Sequence, residues 1–149
     1  MDFSTYWQII GMLDWKYEGD DDKVLKPAVE YLFKLTDEEI FEFDEIMARL
    51  LYNIDSRALA HKLYADETKF SDDAFLYLRC VFIVNGPQLY NQVVRGQIGG
   101  VTSDMEFEAI LYLPRTAWAK KHKQDESLYP HETKYCFESG SNEALWPKV

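Results

Sequence analysis

The sequence predicts an all-α protein, a single-domain bundle of about six to eight short helices with an extended aromatic C-terminal tail. Three observations predict it. Apolar residues recur at spacings of three and four, the period of one helical face, along most of the first 123 residues. Helix-start chemistry, a hydroxyl or carboxylate just ahead of an apolar run, stands at several of those segments. The strict alternation of a half-buried strand is nearly absent.

Phe3, Trp7, Ile10, Leu13 and Tyr17 mark the first helix, interrupted by Gly19 and the run Asp20, Asp21, Asp22. Asp22 is positioned to cap a second helix carrying Leu25, Val29, Leu32 and Leu35, which requires Pro27 to lie in the first turn, where a missing N–H goes unused. Thr36 and Glu39 have the spacing of a capping box, and the helix they open carries Ile40, Phe43, Met47, Leu50 and Ile54 on one face. Glu38, Glu42, Glu45 and Arg49 share another face, with Glu45 and Arg49 an i,i+4 pair. Asp55 or Ser56 starts a short helix with Leu59 and Leu63 inward, leading into Asp66 to Phe70.

Ser71 caps the next helix, whose first turn holds Asp72 and Asp73 at the positive end of the helix dipole and whose inward ridge is Phe75, Leu78 and Phe82. Asn85 and Gly86 stop it, and Pro87 suits the first turn of a helix through Leu89 and Val93. After a glycine loop around Gly96, Gly99 and Gly100, Ser103 with Glu106 reads as a second capping box. It would open a helix through Ala109, Ile110 and Leu113 that Pro114 ends or kinks. Arg115 to Lys123 forms one more short helix bearing the basic cluster Lys120, Lys121 and Lys123, a receiver for an acidic face.

The expected domain therefore spans 1–149, with a helical body over 1–123 and an irregular tail over 124–149. Tyr129, Tyr135, Phe137, Leu145 and Trp146 argue that the tail lies extended across the helices, with a short strand around Tyr135 to Phe137. A chain of 149 residues buries roughly two thirds of its unfolded surface, enough to fold without a cofactor. Two cysteines, Cys80 and Cys136, fall short of a disulfide framework and read as buried thiols. The first eleven residues lack the basic start and long apolar run of a signal peptide, and no segment has the length and apolarity of a membrane span, so a cytoplasmic location is expected.

The formal net charge is −10. Met1 to Val94 holds 18 acidic and 9 basic side chains, whereas Arg95 to Val149 holds 8 and 7, so the acidity belongs to the first two thirds. Such a field repels nucleic acid and anionic lipid and steers a basic protein partner. Asp20, Asp21, Asp22, Glu38, Glu42 and Glu45 are the candidate partner-binding residues, although acidic surface also serves solubility.

The most informative stretch is FSDDAFLYLRCVFIVNG, Phe70 to Gly86. Together with Tyr6, Trp7, Ile9 and Ile10, and with Glu39, Ile40 and Phe43, its residues Ser71, Asp72, Asp73, Phe75, Tyr77 and Arg79 resemble the bacterial domain-of-unknown-function family 4240 over roughly Met1 to Val94. The chain departs from the family pattern at Thr68, Lys69 and Phe70, where glycines are usual, and at Val81, where a tryptophan is. The resemblance implies a bacterial source and carries over no catalytic residue.

Asp72, Asp73, Tyr77 and Arg79 are the candidates for a pocket, since Asp73 and Tyr77 are one helical turn apart and Asp72 and Arg79 two. The competing reading is structural: the acids stabilise the helix start and the arginine pairs with another helix. His61, His122 and His131 lack HExxH spacing, a site from His122, His131 and Cys136 would need a fourth ligand, and no nucleophile elbow or phosphate loop occurs. These features lead to the expectation of a non-enzymatic, cofactor-free interaction module, an immunity protein or antitoxin that neutralises a basic toxin domain. The rivals are a small-molecule or enzymatic pocket around Asp72, Asp73, Tyr77 and Arg79, and a regulatory self-associating domain.

Overall fold

A computed structural model describes residues 1–65 and 70–148. The fold is all-α: among the described residues there are seven α-helices joined by short 3-10 turns, and no strand. They are α1 (Phe3–Ile10), α2 (Asp21–Phe33), α3 (Asp37–Asn53), α4 (Arg57–Leu63), α5 (Asp72–Val84), α6 (Pro87–Val94) and α7 (Leu113–His122).

The chain forms two compact units, each assembled from two stretches of sequence. The first unit comprises Met1–Ile46 and Ala109–Thr133. Tyr6, Ile9, Val24, Ala28, Leu32, Ile40, Phe43, Ile110 and Ala117 are buried in it, with the Tyr6 and Phe43 ring centres 4.9 Å apart. Within this unit α2 packs against α7 and against the 3-10 turn Trp15–Tyr17. The second unit comprises Met47–Glu108 and Lys134–Val149. Met47, Leu51, Ala60, Phe75, Leu78, Cys80, Phe82 and Ile83 are fully buried there. Its hairpin of α5 and α6 turns at Gly86, whose φ of +98° is a conformation that favours glycine, with Pro87 opening α6.

Several local expectations hold atom by atom. Thr36 and Glu39 form the capping box: the Thr36 hydroxyl accepts from the Glu39 amide at 3.2 Å, and the Glu39 carboxylate accepts from the Thr36 amide at 3.3 Å. Ser56 and Ser71 cap α4 and α5, accepting from the Leu59 amide at 3.0 Å and the Ala74 amide at 2.9 Å.

Others are corrected. The first helix does not reach Tyr17 but stops at Ile10. Met12 and Leu13 donate to Ile9 and Ile10, tight i→i−3 bonds that turn the chain and still bury Leu13, which is why the apolar spacing ran on past the helix end. Asp20, not Asp22, caps α2 by accepting from the Lys23 amide, so Pro27 sits inside the helix rather than in its first turn. The box read at Ser103 does not form. Glu106 instead accepts from the Glu108 amide at 3.0 Å, Glu108–Tyr112 is a 3-10 turn, and Pro114 lies in the first turn of α7, beginning that helix instead of ending it.

Two tail expectations also change. Tyr135 to Phe137 is irregular, not a strand: the Phe137 carbonyl accepts from the Arg79 side chain, and among the described residues there is no strand for the segment to pair with. Cys136 is exposed and accepts from the Ser141 hydroxyl at 3.2 Å, whereas Cys80 is buried as expected. The stretch Asp66 to Lys69, with its departures from the family pattern at Thr68 and Lys69, lies outside the described residues.

Candidate functional site

Arg79 lies four residues after Phe75 and three before Phe82, on the inward ridge of α5, so helical geometry drives a guanidinium into the second unit. Its side chain has no solvent exposure. Nη1 donates to the Leu51 carbonyl at 2.9 Å, and Nη2 donates to the Phe137 carbonyl at 2.8 Å and the Ser139 hydroxyl at 3.1 Å. The cation lies over the Phe75 ring, 4.8 Å from its centre. Burial draws its pKa below the usual arginine value, while the Asp55 carboxylate acts in the opposite direction.

Asp55, in the turn between α3 and α4, is the counter-charge, its Oδ1 4.0 Å from Nη2 and its side chain equally buried. Oδ1 accepts from the Gly140 amide at 3.1 Å and the Trp146 indole at 2.8 Å, and Oδ2 accepts from the Asn142 amide at 3.1 Å. A buried ion pair is tolerable only when its remaining lone pairs and protons are satisfied, and here the C-terminal segment satisfies most of them. The Arg79 Nε is the exception, with no hydrogen-bond partner among the described residues.

The four residues read as a pocket are therefore not gathered into one. Asp72 and Asp73 are exposed at the start of α5, Tyr77 is half-buried, and Arg79 is committed inside. The nearest link is through backbone: Ser139, which receives Arg79, itself donates to the Asp72 carbonyl at 2.7 Å. Asp55 was read from sequence only as a possible helix start. Its role depends on donors 85 to 91 residues downstream, which no local pattern signals.

The acidic candidates divide in the first unit. Asp20, Asp21, Asp22 and Glu38 are exposed. Glu42 pairs with the Met1 amino group, and Glu45 contacts His131 Nε2 at 2.8 Å, so both are engaged internally. Trp15 and Tyr17, just ahead of the aspartates, are 38 % and 41 % exposed, and the Lys16 and Lys23 ammonium groups lie 5.0 and 5.5 Å from the Tyr17 ring centre. A cleft of about 500 Å³ in this unit is lined by Asp22, Leu25, Lys26, Val29, Tyr112 and Glu126 among others. Of the basic cluster, Lys121 meets Asp37 at 2.9 Å, and His122 reaches the same carboxylate at 2.9 Å. The His122 hydrogen bond first, then Lys121, holds the Asp37 carboxyl below its usual pKa.

A second buried acid was missed. Asp44 sits four residues after Ile40 and three before Met47, on the apolar stripe of α3, and that placement was the available signal. The Tyr129 hydroxyl donates to it at 2.9 Å, and burial pushes its carboxyl up to about 6. Phe41 stacks on His131, with ring centres 4.8 Å apart, beside this pair. Among the described residues no group of three or more His, Cys, Asp or Glu is placed to hold a metal ion, and no helix is long and apolar enough to cross a membrane.

Fold and site together define an all-α protein with a buried arginine–aspartate pair under its C-terminal segment and an acidic, aromatic surface from the Trp15–Tyr17 turn to the start of α2. The chain belongs to the family described as protein of unknown function (DUF4240), whose model matches residues 1–120 and so reaches through most of α7, beyond the Val94 limit of the resemblance read from sequence. No curated protein and no solved structure matches the chain significantly.

Proposed function

We propose that this protein is a non-enzymatic interaction module that takes a basic protein partner on the first unit, acting in the cytoplasm as an immunity protein or antitoxin that occludes a basic toxin domain. The observation that carries this reading is the unbroken exposed run from Trp15 to Lys23, in which two large rings stand beside Asp20, Asp21 and Asp22. Exposed tryptophan and tyrosine bring contact area at little entropic cost, and carboxylates beside them supply the charge that selects arginine and lysine. The Tyr17 ring already attracts the chain's own Lys16 and Lys23, so its face suits a cation.

Glu42 and Glu45 are already paired within the unit, which concentrates the docking surface on the start of α2, with Glu38 as an outlying exposed charge. Asp22 also lines the cleft with Glu126 and the apolar Leu25 and Val29, a surround that fits the aliphatic stem and charged head of a basic side chain. The net charge of −10 would speed encounter and make it salt-sensitive.

The test is capture of native lysate on the immobilised chain across a salt series. The expected catch is a basic protein held at about 50 mM salt, released by about 300 mM, and lost with the Asp21→Lys/Asp22→Lys variant. Co-expression of the chain should restore growth to cells producing that captured protein. Equal capture by the charge-reversed variant, or no basic protein at low salt, would overturn the proposal.

A further inference from the structure

The segment from Lys134 to Lys148, the strap, is held in the second unit in the manner of a bound peptide. Between residues 134 and 140 its residues alternate between exposed and half-buried, the period of an extended chain, and it contributes no buried apolar side chain. Main-chain groups make the central contacts: the Phe137 carbonyl receives Arg79, and the Gly140 and Asn142 amides donate to Asp55. Side chains anchor the flanks. Tyr135 packs on Tyr52 with ring centres 5.0 Å apart, the Asn142 side chain donates to the Tyr52 carbonyl at 2.9 Å, and Trp146 lies edge-on to Phe75 at 6.0 Å and under Arg57 at 5.5 Å.

Main-chain hydrogen bonds for affinity and a few side-chain sockets for specificity are how extended peptides are recognised. The surface beneath the strap is of that kind: a cation for a carbonyl, a carboxylate for amides, and aromatic walls. Lifting the strap would break hydrogen bonds but return two charges to water, which offsets part of the loss. The strap also leaves the Arg79 Nε unused. Asp55 and Arg79 lie within the residues matched by the family model and the strap lies beyond them, so site and cover are separate in sequence.

We propose that the Asp55–Arg79 site is a peptide-binding site which the strap fills in cis and which accepts in trans an extended segment of a partner polypeptide, one that offers a carbonyl to Arg79, amides to Asp55 and an indole to Phe75. The site is distinct from the acidic surface on α2, and its test is independent of that reading.

The experiment uses the full chain and a fluorescently labelled synthetic peptide of the strap sequence, residues 134–149. In a full-length Asn142→Ala/Trp146→Ala variant the cis competitor is weakened while Asp55, Arg79 and Phe75 are untouched. This variant should bind the peptide saturably and at least tenfold more tightly than the wild type does, and a peptide with alanine in place of tryptophan should lose at least tenfold. No saturable binding to the folded variant, or equal binding of both peptides, would overturn the proposal. Wild-type dimers that exchange straps, seen by light scattering at the working concentration, would overturn the choice of a partner segment as occupant. Should the variant fail to fold, amide exchange on the wild-type chain decides. The Gly140 and Asn142 amides should exchange at least 100-fold faster than core amides of α5, and exchange only at the rate of global unfolding would make the strap a fixed part of the core.

Discussion

Replacing Asp44 by asparagine should stabilise the protein at neutral pH, and the magnitude follows from its surroundings. Asp44 is buried on α3, the neutral Tyr129 hydroxyl donates to it, and burial outweighs the favourable pull of His131 and Arg115. Its carboxyl is pushed from 3.8 up to about 6. The proton is thus bound more tightly in the folded chain than in the unfolded one. The stabilising contribution is complete below about pH 4 and is lost as pH rises through about 6. At 1.36 kcal/mol per pK unit, the charged carboxylate costs the native state about 3 kcal/mol at pH 7.5 relative to pH 4.

Asparagine keeps the volume and a carbonyl to accept from Tyr129, so Asp44→Asn should gain about 2 kcal/mol at pH 7.5 after about 1 kcal/mol for altered hydrogen bonding. In a chain of this size that is a rise in Tm of about 4–8 °C. Urea unfolding of both proteins at pH 7.5 and pH 4.5 isolates the group, because other carboxylates cancel in the difference. A variant no more stable than the wild type at pH 7.5, or an advantage that does not shrink on acidification, would refute the reasoning.

Arg79→Ala, which leaves Asp55 charged and uncompensated under the strap, should cost about 3–5 kcal/mol in urea unfolding, and Asp55→Ala/Arg79→Met should recover part of that loss. Thr36→Ala, which removes the hydroxyl of the capping box, should cost about 1 kcal/mol with no change in m-value, checked by the same measurement. The two cysteines should separate by reactivity: a thiol reagent should titrate one equivalent, at Cys136, in the native protein and both only after denaturation, since Cys80 is sealed and its thiol pushed up by burial.

The parts of the fold that were legible from sequence are those whose physics is local. A cap, its acceptor and the apolar stripe behind it lie within a few residues, so Thr36 with Glu39 and Ser71 with Ala74 could be placed without tertiary information. Pattern misled where two local rules compete. Pro27 and Pro114 each suit a helix start, and the choice between start, kink and stop depends on where the neighbouring cap forms: Asp20 placed Pro27 in the interior, and the 3-10 turn at Glu108–Tyr112 placed Pro114 at a beginning. The candidate site was half legible. Arg79 was among the four polar candidates placed on α5, but its partners Asp55 and Phe137 come from other elements, and only the folded chain brings them together.

The interleaving of the two units bears on how the chain acquires its structure. Each unit is closed by residues from beyond the other: the first waits for Ala109–Thr133, the second for Lys134–Val149. Helical proteins usually owe rapid folding to contacts between near neighbours, whereas the bonds from Asp55 to Gly140 and Trp146 close loops of 85 and 91 residues, an entropic cost that local helix formation does not share. On a ribosome the first unit cannot be finished until Ala109–Thr133 has emerged, nor the second until the strap has. The strap, which follows the other stretches of both units in sequence, would then be the last piece of the two units to dock, and a nascent chain would spend a stage of its synthesis with Asp55 and Arg79 still open to solvent.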